Sequence, residues 1–442
     1  MEMKELSEAS GLLEQITRKV NALIEDENFI TKHKTAVKSF TRDRVFSFRV
    51  LLCFLMTNLQ KSLQREIALF SEAILSDGGS IPEVHKSAFC KARKKLQSTA
   101  FVELSEVVCT QFYQSSTPRH WKGFRLLGVD GSQVELPNSE EIQEHYGVFK
   151  YRSDGKAVCM ARTLLVYDTI NHLSLQASID KLQESETALL WKALPQMELR
   201  ENDLLLFESL YASRLLFFYL QKRGVQFCFR MKNNWWKVVE SFYNSGKTSE
   251  VIQVELPQKD KAEAQTLGIT ATSMTCRLVR IELQSGETEI LLTSLVDENR
   301  YSLEDLKECY GWRWPVEEAY KAFKHKVCIE NFTGKSCQTV LQDFYVKVFI
   351  MNLTAAAVQP INKALEKKTA KVKHPRKVNV SEALFSLKKA VVPFFVSGQI
   401  TKAVKKFCSR IAKLTEPVRP GRKYKRHQQP HKRKYPMNYK PI

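Results

Sequence analysis

The chain has 442 residues, 43% of them hydrophobic and 25 of them Phe, enough apolar material for substantial cores in two or three domains, which excludes a disordered tail protein. Its 68 Lys and Arg outnumber 48 Asp and Glu for a net charge of +20, and from Thr401 onward fourteen basic residues face the single acid Glu416. Such a balance favours a polyanionic partner through counterion release from phosphates, the bland alternative being a basic protein kept soluble by its charge.

Residues 45–56 form the longest apolar run, but Arg49 interrupts it and it is too short to span a bilayer. The start, with Glu2, Lys4 and Glu5, lacks the apolar core of a secretory leader. Ten cysteines are scattered from Cys53 to Cys408 without a CxxC pair, as expected of reduced, buried thiols rather than a zinc site. A cytosolic location follows as the expectation, with no membrane partner.

The first 120 residues read as helical. Leu12, Leu13, Ile16, Val20, Leu23 and Ile24 recur at helical spacing, and a second apolar helix covers about 45–59. Ser80 and Glu83 bracket a capping-box pattern with Pro82 inside it. A short helix then carries Lys91, Arg93, Lys94 and Lys95. Two short helices with a basic second one resemble a helix-turn-helix reader of DNA; a solvated helix face is the equal alternative.

From Phe124 the pattern changes to strands. Residues 125–130 are an apolar run ending in Asp130, followed by the turn pair Gly131 and Ser132. Residues 158–167 and 174–179 are the next strand candidates; a helix near 185–194, a strand over 203–207 ending at Glu208, a helix at 215–222 and a strand at 225–231 follow. Strand-dominated sequence runs on to about 297, and Ser302 with Asp305 opens another helix. The order implies a mixed sheet with helices packed on it, an α/β layer. Helices continue after Asp343 to about residue 396, interrupted by a basic run at 367–377, and a Pro-, Lys- and Arg-rich tail begins near 417.

The most informative residues are Tyr310, Arg313, Glu317 and Lys324. Offsets of three, four and seven place all four within about 60° of a helix circumference. A phenol, a guanidinium, a carboxylate and an ammonium on one stripe can grip a phosphate and hold a divalent metal beside it. Pro315 removes one helix donor, so the helix is expected to start or kink there, with Tyr310 and Arg313 on a preceding turn.

These residues resemble the DDE transposases of bacterial insertion sequences, in the branch defined by Y-(2)-R-(3)-E-(6)-K. The segment Val129, Asp130, Gly131, Ser132 is similar to the family's first catalytic motif, and Leu136 with Pro137 fits its continuation. Phe229, Arg230, Met231 and Lys232 resemble the strand after the second acid, and Trp314 directly follows the arginine as in the family. Met437, Asn438, Tyr439 and Lys440 resemble a familiar basic ending. The likeness runs over about residues 35–440.

The resemblance implies an α/β, RNase H-like mixed sheet flanked by helices at about 121–345, with a β-rich insertion at about 233–297. An N-terminal helical DNA-binding domain would span 1–120, and a C-terminal helical region with the basic tail 346–442. It implies cut-and-paste transposition: hydrolytic nicking of double-stranded DNA at terminal inverted repeats, then strand transfer into target DNA by a homodimer that synapses both ends. The setting would be the bacterial cytoplasm, at the nucleoid. Asp130 would bridge two Mg²⁺ ions, replaceable by Mn²⁺, with Glu208 and Glu317 each completing one site. Arg313, Lys324 and Tyr310 would hold the backbone phosphate, Arg230 and Lys232 would contact DNA, and Trp314 or the pair Trp235 and Trp236 would stack on an unpaired base.

One position departs from the family. An aspartate followed by Arg-Gly and an aromatic is expected where this chain has Glu208, Ser209, Leu210 and Tyr211. Asp203 is about 16 Å away along the strand and is no substitute. Glu208 keeps the charge but moves the oxygens by over ~1 Å, a misplacement that can cost about 10² in rate. Two readings follow: an active D-E-E enzyme, or a catalytically impaired, transposase-derived DNA-binding protein.

Overall fold

A computed structural model describes residues 3–42, 44–80, 82, 84–150, 157–283 and 286–419. The Ser80–Glu83 capping pattern, most of the basic tail and Met437 to Lys440 therefore lie wholly or partly outside the described residues. The elements in chain order are α1 (Met3–Glu25), α2 (Glu27–His33), α3 (Phe48–Met56), α4 (Leu63–Ser76), α5 (Lys86–Arg93), α6 (Thr99–Ser115), β1 (Arg125–Leu136), α7 (Glu140–Tyr146), β2 (Val148–Lys150), β3 (Ala157–Asp168), β4 (Leu173–Lys181) and α8 (Glu186–Ala193). They continue with β5 (Asp203–Phe207), α9 (Arg214–Lys222), β6 (Gln226–Met231), α10 (Lys237–Asn244), β7 (Ser249–Glu255), α11 (Lys261–Thr266), β8 (Ser273–Glu282), β9 (Thr288–Thr293), α12 (Leu303–Gly311), α13 (Trp314–His325), α14 (Cys337–Thr369), β10 (Arg376–Val378), α15 (Val380–Phe395), α16 (Ile400–Ile411) and β11 (Thr415–Pro417).

The chain divides into two compact units, one of Met1–Pro118, Gln133–Ala161 and Lys321–Ile442, the other of Arg119–Ser132 and Arg162–Tyr320. The N-terminal and C-terminal helices thus share a unit, because α1 packs on α6, α14 and α16. Its buried face is the periodic set read from the sequence, Leu12, Leu13, Ile16, Val20 and Ile24. Helix α14 is long and apolar enough to cross a membrane, but 83% of its most apolar stretch is buried inside the protein, the mark of a core helix.

The second unit is built on a mixed sheet in the order β3-β1-β5-β6-β9-β8-β7, with β4 on the far side of β3. The pairs β1–β5 and β5–β6 are parallel, and β6–β9, β9–β8 and β8–β7 are antiparallel. Strands β9, β8 and β7 of the insertion extend this sheet beyond β6. Successive residues on a strand face opposite sides, and here both sides are covered. Leu127, Val129, Leu205, Phe207, Phe227 and Phe229 pack with α8 and α9. Leu126, Leu204, Leu206 and Cys228 pack with Leu306, Cys309 and Tyr310 of α12. The insertion adds α10 and α11 to its strands, and α12 opens with the expected box, Ser302 accepting from Asp305 N while Asp305 accepts from Ser302 N.

Strand β1 runs six residues further than the sequence suggested. Gly131 and Ser132 do not turn the chain; the strand continues and buries Val134 and Leu136. Asp130 accordingly lies within the strand and beyond its pairing with β5, which ends at Gly128 opposite Leu206.

Candidate active site

The parallel register of β1 and β5 brings the first two acids together. Two residues past the Gly128–Leu206 pair come Asp130 on one strand and Glu208 just after the other, close enough for their charges to interact. Glu208 heads a single 3₁₀ turn over Ser209–Tyr211.

The third acid arrives on a helix made to fit closely. The chain turns between α12 and α13 just where Pro315 lacks its N–H, so Tyr310 ends one helix, Arg313 sits in the joint, and Glu317 and Lys324 ride the next. The four do not share one continuous stripe. Gly128 makes the approach possible: a Cβ there would meet Val316 Cβ at 3.3 Å and Thr169 Cγ2 at 2.9 Å. Tyr320, three residues after Glu317, donates its hydroxyl to the backbone oxygen of Asp130 at 3.1 Å, tying α13 to β1 beside the acid.

Arg313 is the hub. Its Nη2 lies 2.6 Å from Glu317 Oε1 and 3.2 Å from Glu208 Oε1, and only 4% of the residue is exposed. Among the described residues its Nε and Nη1 have no hydrogen-bond partner, nor has the hydroxyl of buried Tyr310, whose ring lies 5.9 Å from the guanidinium. Burial, then the nearby Glu208 carboxylate, and more weakly Glu186, push Asp130 up to about 7, with Arg313 pulling the other way. Carboxylates outnumber the cations that neutralise them here.

Sequence reading missed Glu186, the first residue of α8. Its carboxylate takes a hydrogen bond from Tyr211 Oη at 3.0 Å and pairs with Arg162 Nη1 at 3.1 Å. It presses on the backbone next to Asp130, since a Cβ on Gly131 would fall 2.1 Å from Glu186 Cδ. The only sequence signal was the glycine itself.

The donor set is one of hard oxygens with excess negative charge, which is what a divalent cation selects. As they stand, no three acidic, histidine or cysteine side chains among the described residues form a group that could hold a metal ion. Arg313 Nη2 bridges Glu208 and Glu317 through one oxygen of each.

The remaining expected residues are spread more widely. Trp314 is 58% exposed, with Arg313 5.8 Å from its ring. Arg230 pairs with Glu289 at 3.2 Å, and Lys232 lies 5.0 Å over the ring of exposed Trp235. Trp236 instead packs on the core with Phe217 and under Arg214. Asp203 is fully buried in a two-pronged bond with Arg125, at 2.6 and 2.7 Å, a structural role. Lys324 lies on the last turn of α13.

In the other unit, Arg93 requires a correction: it is 2% exposed and faces inward, so it offers no DNA-binding surface. Helix α5 turns it away because Phe89, Ala92 and Arg93 form the buried side of the helix. Lys91 and Lys94 are exposed and Lys95 half-buried. Lys91 and Lys95 line a cleft of about 590 Å³ with Lys38, Arg42 and Arg44, floored by Phe40 and Phe46. The cation density of residues 38–44 was the overlooked signal.

Residues 121–353 match the family model described as the transposase DDE domain. The chain is 25% identical over 284 residues to the transposase InsG for insertion sequence element IS4 of Escherichia coli strain K12, covering 62% of this chain and 61% of that relative. It is 28% identical over 105 residues to the putative transposase InsZ of the same strain, covering 24% of this chain and 34% of that one. Among solved structures it is similar to the piggyBac transposase synaptic complex with hairpin DNA, with a TM-score of 0.46 and 10% identity over 92% of this chain and 86% of that chain.

Proposed function

Because the chain belongs to the transposase DDE domain family, we propose that it is an active transposase that nicks DNA at the ends of an insertion sequence and joins the freed ends to target DNA. The observation that carries this reading is the gathering of Glu208 and Glu317 on the Arg313 guanidinium, with Asp130 in the electrostatic field of Glu208 and Arg313.

The family generally uses divalent metal ions, and Asp130, Glu208 and Glu317 are the residues that would hold two Mg²⁺ or Mn²⁺. Bound there, the cations would draw charge from the scissile phosphate and ease deprotonation of the attacking water or 3′-hydroxyl. The protein's own groups do the rest. Arg313, relieved of its carboxylates, presents its buried N–H groups with the Tyr310 hydroxyl to a phosphate oxygen; each such donor left unpaired costs about 1–3 kcal/mol, so an acceptor is favoured strongly. Trp314 stands exposed beside them to stack on an unpaired base. Arg230 and Lys232 extend the cationic surface along the backbone, Lys324 contacts a backbone phosphate, and Lys91, Lys94 and Lys95 with the cleft around Lys38, Arg42 and Arg44 engage duplex DNA at the inverted repeats. A homodimer in the bacterial cytoplasm would hold two ends in one complex.

The test uses the full chain, labelled DNA carrying the inverted repeats that bracket its reading frame, and Mg²⁺ or Mn²⁺. Cleavage with joined products, abolished by Asp130→Asn, is expected, with Glu208→Asp changing the nicking rate by less than about tenfold. A mobility shift without cleavage, together with a gain of about 10² on Glu208→Asp, would mark an impaired descendant and overturn the proposal.

A further inference from the structure

Glu186 has no place in the function just proposed, yet it is the fourth acid at the site and the most firmly held. Its two oxygens are engaged separately, Oε1 by Arg162 and Oε2 by the Tyr211 hydroxyl. Arg162 is itself anchored, with Nε donating to Glu184 O at 3.2 Å and Nη2 to Leu182 O at 3.4 Å. Tyr211 is buried against Phe207, and its backbone N–H donates to Glu208 O at 3.1 Å, closing the turn that Glu208 heads. Glu186 therefore touches three segments: the Asp130–Gly131 backbone, strand β3 through Arg162, and the Glu208 turn through Tyr211. Ordinarily the far end of a glutamate yields when crowded. Here it is pinned at both oxygens, which is why residue 131 has room for a glycine alone.

A third negative charge beside Asp130 and Glu208 is a poor choice for stability, since like charges at short range repel unless a cation enters. An amide could accept on one side only and would present a donor on the other, so a carboxylate is what accepts from both Arg162 and Tyr211. The carboxylate makes sense as part of the cation site.

Resting on the reading of this site as a divalent-cation site, we propose that Glu186 is a positioning residue that fixes Asp130 and Glu208 relative to each other for cation binding. Through Gly131 it sets the β1 backbone, and through Tyr211 it sets the turn carrying Glu208. The pairing supplies what Glu208 needs, because a glutamate in an aspartate's place demands a backbone adjusted to its length.

The experiment is Mn²⁺ titration of the full chain by calorimetry, with thermal unfolding recorded on each variant. Wild type is expected to bind Mn²⁺ and Asp130→Asn to lose that binding. Glu186→Gln is expected to weaken it by about 10–100-fold while the unfolding midpoint stays close to wild type, an outcome a merely structural contact would not produce. If Glu186→Gln fails to fold, Tyr211→Phe carries the test, with an expected loss of about tenfold. Mn²⁺ affinity unchanged in the folded variant, while Asp130→Asn still abolishes binding, overturns the role of Glu186 alone. Identical titrations for wild type and Asp130→Asn overturn the cation-site reading itself.

Discussion

Two buried arginines, one in each unit, show how differently the same side chain is used. Arg93 is surrounded by acceptors: Nε donates to Gln342 Oε1 at 2.6 Å, Nη1 to Thr333 Oγ1, and Nη2 to Thr339 O at 2.9 Å and Asp343 Oδ1 at 2.6 Å. Asp343 is in turn held by Thr333, and Lys347 nearby donates to the backbone oxygens of Cys328 and Asn331, each at 2.9 Å. Arg313 has carboxylates on one nitrogen and, among the described residues, no hydrogen-bond partner on the other two. The first arginine completes a structure; the second leaves it incomplete in the manner of a binding site. From sequence alone both looked like DNA contacts.

The comparison is broken or sharpened by matched substitutions. Arg93→Met strands the buried Asp343 charge and is expected to cost about 3–5 kcal/mol, read as a loss of unfolding free energy in urea. Were it to cost nothing, the Arg93 network would not be the keystone its geometry indicates. Arg313→Gln should instead leave stability within about 1 kcal/mol, because both its carboxylate partners retain access to water, while lowering the nicking rate by on the order of 10²–10³. A large drop in stability with intact rate would reverse the assignment.

The smallest effect is a pH dependence. Burial alone would raise Asp343, but the Arg93 guanidinium, then Lys347 and the Thr333 bonds, hold it below the ordinary carboxylate value. A depressed folded-state value means the unfolded chain takes up the proton first as pH falls. Stability from this group is therefore present above about pH 4 and is lost as pH drops through the folded value. Unfolding measured between pH 5 and 2 should show this loss in wild type and a shallower one in Arg93→Met, which has already lost the partner.

Legibility in the sequence followed the range of the interactions. The strand Asp203–Phe207 and the Ser302–Asp305 capping box were readable because their signals, an apolar run ending in a carboxylate and a three-residue hydrogen-bond loop, are local. The joint at Pro315 was readable for the same reason. The continuation of β1 past Gly131 was not, because those residues read locally as a turn, while the strand runs on to bury Val134 and Leu136. Arg93 misled because a basic residue in a basic run reads as surface, and only the folded partners Gln342 and Asp343, some 250 positions along the chain, draw it inside.

The amino-acid order by itself determined the alternation of strands and helices, the spacing of Tyr310, Arg313, Glu317 and Lys324, and the family they indicate, since each depends on residues close together or on a fixed interval. Tertiary structure alone decided which side chains meet: that Arg313 lies between Glu208 and Glu317, that α13 closes on β1 over Gly128, and that Glu186 stands at Gly131. Such meetings depend on strand register and helix packing, which come from burying apolar faces across the whole unit and leave no mark at the residues they bring together.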